Sequence, residues 1–196
     1  MIAVIKYNAG NVLSVMNALS RLGKEAVLTD DPEIINSADK VIFPGVGEAS
    51  SAMRYLNERG LSTVIRSLKQ PFLGICLGMQ LMCASSEEGD TECLGIFPSE
   101  IIQFRRGAGW KVPHMGWNTL ENISGPLYKD TKEMEYVYFV HSYYAPLSEY
   151  TSAETEYAGV RFSASLSKDN FHGMQFHPEK SGDAGERMLR CFLEDL

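Results

Sequence analysis

The sequence predicts an α/β fold: one domain over residues 1–196, with helices on both faces of a mostly parallel sheet and antiparallel strands added to it. Three observations predict it. Short unbroken β-branched or apolar runs recur in the N-terminal half, as in strands buried on both faces. Segments of helical period separate these runs, and strands alternating with helices build a parallel, doubly wound sheet. In the second half the helical period fades, and apolar runs stand between Gly, Pro and Asn turns, as in antiparallel or mixed strands.

Each element has a local reason. Ile2 to Ile5 is a β-branched run, so a buried parallel strand. After the loop Asn8-Ala9-Gly10-Asn11, residues Val12, Val15, Met16, Leu19 and Leu22 follow at helical spacing, and Gly23 stands where a helix end favours glycine. Ala26-Val27-Leu28 is a second strand. Asp31-Pro32 opens a short helix, and Val41-Ile42-Phe43 is a third strand ending at Pro44. Residues 48–69 are helical with a break at Gly60, and Gln70 to Ile75 leads into a fourth strand. Between about residues 93 and 145, Ile96, Ile101-Ile102, Phe104 and the run Tyr136 to Val140 mark strands that add to the sheet. A further strand pair, Ala158 to Ala164 and His172 to Phe176, leads to a last helix with Met188, Leu189, Phe192 and Leu193 on one side. No internal repeat, low-complexity tract or linker interrupts this.

Composition narrows the function. The 196 residues hold 18 Lys+Arg against 25 Asp+Glu, a formal charge of -7. Nucleic acid and anionic membranes both attract basic faces, so neither is expected as a partner. At 44% hydrophobic and 22% charged, the chain is ordinary globular material, long enough to bury a core. No apolar run approaches the roughly 20 residues of a spanning helix. MIAVIKYNAG runs straight into a strand with no basic region or small-residue cleavage site, so no secretory signal is expected. Four scattered cysteines, Cys76, Cys83, Cys93 and Cys191, make no disulfide scaffold and point to a reducing cytoplasm.

One cysteine stands out. Gly74-Ile75-Cys76-Leu77-Gly78 lies between an apolar strand and a helix that includes Met79-Gln80-Leu81-Met82. A nucleophile between small residues at a strand-to-helix turn is a nucleophile elbow, which lifts the side chain above the sheet edge where α/β folds bind ligands. The unpaired N–H groups of the following helix favour a thiolate, and the Leu77 N–H would face an oxyanion formed beside Cys76. The alternative is a buried structural cysteine in a Gly-rich turn. Phe176-His177-Pro178-Glu179 supplies a base and a group to orient it. Proline keeps His177 extended, and residues two apart in extended chain share a side, so His177 and Glu179 face one site. The alternative is a surface His and Glu beside a turn. Pro44-Gly45-Val46-Gly47 follows the third strand and can turn an N–H towards an anion, or be a plain turn.

Together these segments resemble the class I, triad-type glutamine amidotransferases. The resemblance covers nearly the whole chain. Pro113-His114-Met115-Gly116-Trp117-Asn118, His141-Ser142-Tyr143, His177-Pro178-Glu179-Lys180-Ser181 and the opening Tyr7-Asn8-Ala9-Gly10-Asn11 narrow it to the glutaminase subunits of imidazole glycerol phosphate synthase. It implies a flavodoxin-like three-layer sandwich and hydrolysis of L-glutamine, with no metal or organic cofactor. Cys76 would be the nucleophile, His177 the acid–base group and Glu179 its orienting partner. Leu77 and Val46-Gly47 would form the oxyanion hole, and Gln80, Ser142 and Tyr143 would hold the glutamine. The partner implied is a (β/α)8-barrel cyclase that uses the ammonia to make imidazole glycerol phosphate and an aminoimidazole carboxamide ribotide, linking histidine and purine synthesis. Asn8, Asn11, Trp117 and Lys180 are the candidate docking residues. Trp117 has a core aromatic as its alternative, and Lys180 a solvated charge. Gly45 and Gly47 would make reorientation of the Val46-Gly47 peptide cheap, a place for control by the partner. The rival readings are a paralogue feeding a surface-sugar pathway, a pyridoxal phosphate synthase subunit, a binding module without catalysis, and a cysteine protease on the same kind of sheet.

Overall fold

The structure is a computed structural model that describes residues 1–7, 12–107 and 109–196. In chain order it runs β1 (Ile2–Ile5), α1 (Val12–Arg21), β2 (Ala26–Thr29), α2 (Pro32–Ser37), β3 (Lys40–Phe43), α3 (Ala49–Glu58), α4 (Leu61–Ser67), β4 (Phe72–Ile75) and α5 (Leu77–Leu81). Then follow β5 (Ser85–Ser86), β6 (Thr91–Glu92), β7 (Glu100–Gln103), β8 (His114–Thr119), β9 (Tyr136–His141), β10 (Tyr143–Tyr144), β11 (Thr151–Tyr157), β12 (Val160–Lys168), β13 (Phe171–Met174) and α6 (Gly182–Arg190).

Seven strands make the central sheet in the order β11-β12-β13-β4-β3-β1-β2. The pairs from β13 through β4, β3 and β1 to β2 are parallel, and β11 and β12 add antiparallel to β13. Alternation along β1 divides the core. Ala3 and Ile5 pack on one face with α2, α3 and α4, while Ile2 and Val4 pack on the other with α1 and α6. Two helix boundaries have clear local causes. The Asp31 carboxylate accepts the Glu33 N–H at 2.8 Å, with Pro32 at the first helical position. Gly60, at φ 69°, separates α3 from α4.

The middle of the chain departs from expectation. Its strands do not extend the main sheet. They form a small four-stranded sheet, β10-β7-β5-β6, and a separate β8–β9 pair. Ile96 and Phe104 are not in strands; their N–H groups bond to Met82 and Ser142 carbonyls in connecting turns. Strands β8 and β11 carry too few β-branched apolar residues to stand out by pattern, and each is held by its partner strand. The β11–β12 connection is the two-residue turn Ala158-Gly159, both at positive φ, which suits the twist of a tight hairpin.

Parallel strands align their C-terminal ends. Tyr7, the Pro44–Gly47 segment, Cys76 and Gln175–His177 therefore emerge at the same edge of the sheet, after β1, β3, β4 and β13. Ligands bind at such an edge in open α/β sheets.

Candidate active site

Cys76 sits between β4 and α5 with φ 53° and ψ −109°, a conformation that costs a non-glycine residue roughly 1–3 kcal/mol. The close packing around it requires glycine. A Cβ on Gly78 would lie 2.0 Å from the Phe43 carbonyl oxygen, and one on Gly74 would lie 2.7 Å from the Gly78 carbonyl carbon. The elbow is thus wedged backbone-to-backbone against the end of β3. α5 is only five residues long. The Leu77 N–H opens it and has no acceptor within the helix.

His177 and Glu179 come together as expected, though not by extended geometry. His177 is extended (φ −98°, ψ 95°), but Pro178–Lys180 is a 3₁₀ turn, because proline at its first position suits a helical turn. The turn still brings the Glu179 carboxylate under the ring: His177 Nδ1–H donates to Glu179 Oε1 at 2.8 Å, and each side chain is 1% exposed. An ionised carboxylate can only accept, so Nδ1 carries the hydrogen of this bond and Nε2 is left for chemistry. Among the described residues, His177 Nε2 and Glu179 Oε2 are buried without hydrogen-bond partners. Burial alone would lower the His177 pKa. The negative charge of Cys76 and the Glu179 carboxylate outweigh it and raise it to about 10. Strand β9 and Ser181 clamp the turn. The His177 N–H donates to the Tyr138 carbonyl at 2.9 Å, the Tyr138 N–H donates to Ser181 Oγ at 2.9 Å, and Ser181 O–H donates to the His177 carbonyl at 2.6 Å.

Val46, Gly47, Cys76, Leu77, Gln80 and Ser142-Tyr143 line one pocket of about 280 Å³. Gln80 is buried, and its Nε2 is already committed to the Tyr143 carbonyl and Gln175 Oε1, each at 2.9 Å. Its amide nitrogen is therefore not free for a ligand. The proposed flexibility of Gly45 needs correction. A Cβ there would lie 2.4 Å from Gly78 N and 2.6 Å from Leu77 Cβ, so Gly45 is glycine for close packing. Gly47 is different: it has φ +126° with open space around it, so its conformation is the constraint.

Three contributors carry no role assigned from the sequence, although Tyr7 and His141 lie within its motif segments. Glu88 lines the pocket and accepts the Ala49 N–H at 2.8 Å, with burial raising its pKa. It lies in a polar turn with no motif around it. The buried Tyr7 hydroxyl makes no hydrogen bond among the described residues, and burial, then the charge of Cys76, raise its pKa. His141 lines the pocket and shares a hydrogen bond with His114, Nε2 to Nδ1 at 3.0 Å. Burial pushes His141 down to about 3 and His114 to about 4.

Trp117 is 55% exposed on β8, with its ring edge against Tyr138, so it is not a core aromatic. With Ser181 and Gly182 it lines a shallow depression, and Lys180 is exposed next to these residues. Asn8 and Asn11 lie outside the described residues. No helix of the described residues is long and apolar enough to cross a membrane.

A doubly wound sheet that brings a cysteine elbow and a carboxylate-bound histidine to one edge defines an α/β class suited to cysteine-nucleophile chemistry. The chain belongs to the class-I glutamine amidotransferase family, whose model matches residues 4–196. It is 59% identical over 194 residues to the imidazole glycerol phosphate synthase subunit HisH of Bacteroides fragilis (strain YCH46), covering 98% of both chains. The subunit of the same name from Bacteroides thetaiotaomicron is 57% identical over 98% of both chains. That of Idiomarina loihiensis is 46% identical over 98% of this chain and 97% of its own. Solved structures share the fold. A crystal structure of a glutamine amidotransferase superposes with TM-score 0.76 at 19% identity, over 99% of this chain and 98% of that one. The structure of PurLQS from Thermotoga maritima superposes with TM-score 0.75 at 17% identity, over 99% and 97%.

Proposed function

We propose that this chain is the glutaminase subunit of an imidazole glycerol phosphate synthase, hydrolysing L-glutamine at Cys76 and passing the ammonia to a (β/α)8-barrel cyclase. The observation that carries this is the convergence on one pocket of the Cys76 elbow and the Val46-Gly47 loop, with a histidine whose Nδ1–H is held by Glu179. The similarity to HisH subunits supports the pathway.

In this reading, His177 Nε2 takes the Cys76 proton and the sulfur attacks the side-chain amide carbon. The oxyanion of the tetrahedral adduct meets the Leu77 N–H and a donor from the Val46-Gly47 segment. The imidazolium then protonates the leaving nitrogen, and ammonia departs from a γ-glutamyl thioester. Water, deprotonated by His177, attacks the thioester, and glutamate leaves as the thiol reforms. Ser142 and Tyr143 hold the substrate head group, with Gln80 contributing only its amide oxygen, and the Glu88 carboxylate suits its ammonium. Trp117 and Lys180 dock the cyclase. A Val46-Gly47 peptide turned away would leave the oxyanion one donor short, at about 10²–10³ in rate. Occupancy of the cyclase site would turn it back. The chain works as one domain in the cytoplasm.

The test is glutamate release with and without the purified cyclase and its ribotide. Cys76→Ala is expected to abolish it while leaving cyclization with added ammonium salt intact. Loss of the ammonium-driven reaction as well would make Cys76 structural. Release equal with and without the cyclase would favour a paralogue serving another synthase.

A further inference from the structure

Gln175 lies at the end of β13, fully buried, and its Nε2 donates towards Cys76 Sγ at 3.7 Å. An amide can present either end, so the question is what sets its direction. The answer runs back to a backbone carbonyl, which cannot flip. The Tyr143 carbonyl accepts from Gln80 Nε2 at 2.9 Å and from His141 Nδ1 at 2.7 Å. A reversed Gln80 would set its own carbonyl oxygen against that carbonyl, acceptor to acceptor. Gln80 therefore keeps Nε2 there, and the second hydrogen of Nε2 meets Gln175 Oε1 at 2.9 Å. A reversed Gln175 would put donor against donor. Its oxygen is thus turned to Gln80 and its nitrogen to the sulfur. On the far side, His141 must carry hydrogen on Nδ1. Its bare Nε2 then accepts from His114 Nδ1 at 3.0 Å, so the polarity is consistent along the chain.

We propose that Gln175 is a catalytic residue, an amide N–H donor to the Cys76 thiolate whose direction is set by Gln80 and the Tyr143 carbonyl. The proposal rests on Cys76 being the nucleophile. A thiol at Cys76 can donate to the Val140 carbonyl at 3.7 Å. The thiolate loses that bond, whereas the bond from Gln175 strengthens, because hydrogen bonds to charged acceptors are the stronger ones. The ionisable side chains around Cys76 among the described residues include His177 and Tyr7, both of which feel its charge, and Glu88 and His141, which line the same pocket. Gln80, which the resemblance placed on the substrate, thus acquires a positioning role through Gln175.

The experiment is the pH profile of iodoacetamide alkylation of the full-length chain, read on the Cys76 peptide by mass spectrometry. Gln175→Met keeps the shape and removes the donor. It is expected to move the profile up by about one pH unit, about tenfold slower on the acid limb. Gln175→Glu, which sets an acceptor against sulfur, moves it further, and Gln80→Met moves it the same way by less. A folded Gln175→Met with an unshifted profile overturns the proposal. Should that variant not fold, an unshifted Gln80→Met overturns it by the same measure. A wild-type chain in which Cys76 is alkylated no faster than Cys83, Cys93 or Cys191 would overturn the nucleophile reading itself, a separate result.

Discussion

Replacing Glu179 by Gln tests the site at the point where geometry decides the proton's place. The substitution keeps size and removes one charge. Glu179 Oε1 now accepts from His177 Nδ1 at 2.8 Å, and Oε2 is buried without a partner among the described residues. A glutamine has two choices there. With oxygen towards Nδ1 it retains the tautomer, but buries its NH₂ where no acceptor stands, at about 1–3 kcal/mol. With NH₂ towards Nδ1 its oxygen takes the unpartnered place, as a carboxylate oxygen does now, and the imidazole must move its hydrogen to Nε2. The second choice is favoured, and it leaves Nε2 unable to take the thiol proton. Loss of the charge also removes a hydrogen bond worth about 1.5–3 kcal/mol to the imidazolium, or about 1–2 units of His177 pKa. A wrong tautomer of this kind costs about 10⁴ in kcat in serine proteases, and we expect about 10³–10⁴ here. The assay is glutamate release by the complex at saturating glutamine, beside the ammonium-driven reaction, which should be unchanged. A loss of less than tenfold would refute the argument and reduce Glu179 to packing.

Three further outcomes follow from the structure. Gly47→Ala introduces a side chain at φ +126° into open space; activation by the cyclase ligand should fall about 10²–10³-fold, backbone strain should cost about 1–3 kcal/mol of stability, and unchanged activation would exclude this peptide as the control point. Gly78→Ala should destabilise by more than about 3 kcal/mol in urea unfolding, because its Cβ would lie 2.0 Å from the Phe43 carbonyl oxygen; a loss below about 1 kcal/mol would mean the elbow can shift. Burial lowers His114 to about 4, His141 to about 3 and His172 to about 4, so below about pH 6.5 the unfolded chain binds protons that the folded chain does not. Stability should then fall as pH drops from about 6.5 to about 5, by up to ~1.4 kcal/mol per pH unit for each histidine. His177, raised to about 10, has the opposite sign: its contribution is full below about pH 6.5 and is lost as pH rises through about 10. A urea midpoint that stays flat between pH 7 and 5 would contradict the buried neutral state of the first three.

The sequence by itself determined most of the parallel half of the sheet, because β1 to β4 are short, mainly apolar runs and the longer helices between them show their period. It also marked the elbow, since glycines on both sides of a cysteine at a strand end have few other uses, and it paired His177 with Glu179 through the proline between them. Only the tertiary structure decided where the middle tract goes. Short strands such as Ser85–Ser86 and polar ones such as His114–Thr119 carry too little local preference, and their partners choose for them. The same holds for the rest of the site. Glu88 is a single residue in a polar turn, and Tyr7 and Gln175 stand next to motif residues with no local pattern that assigns them a role. They come near Cys76 because parallel strands end on one side and the pocket wall closes over that edge. The direction of Gln175 depends on a carbonyl 32 residues away in the chain. A motif records neighbours along the backbone; a hydrogen-bond network records neighbours in space, and packing alone creates those.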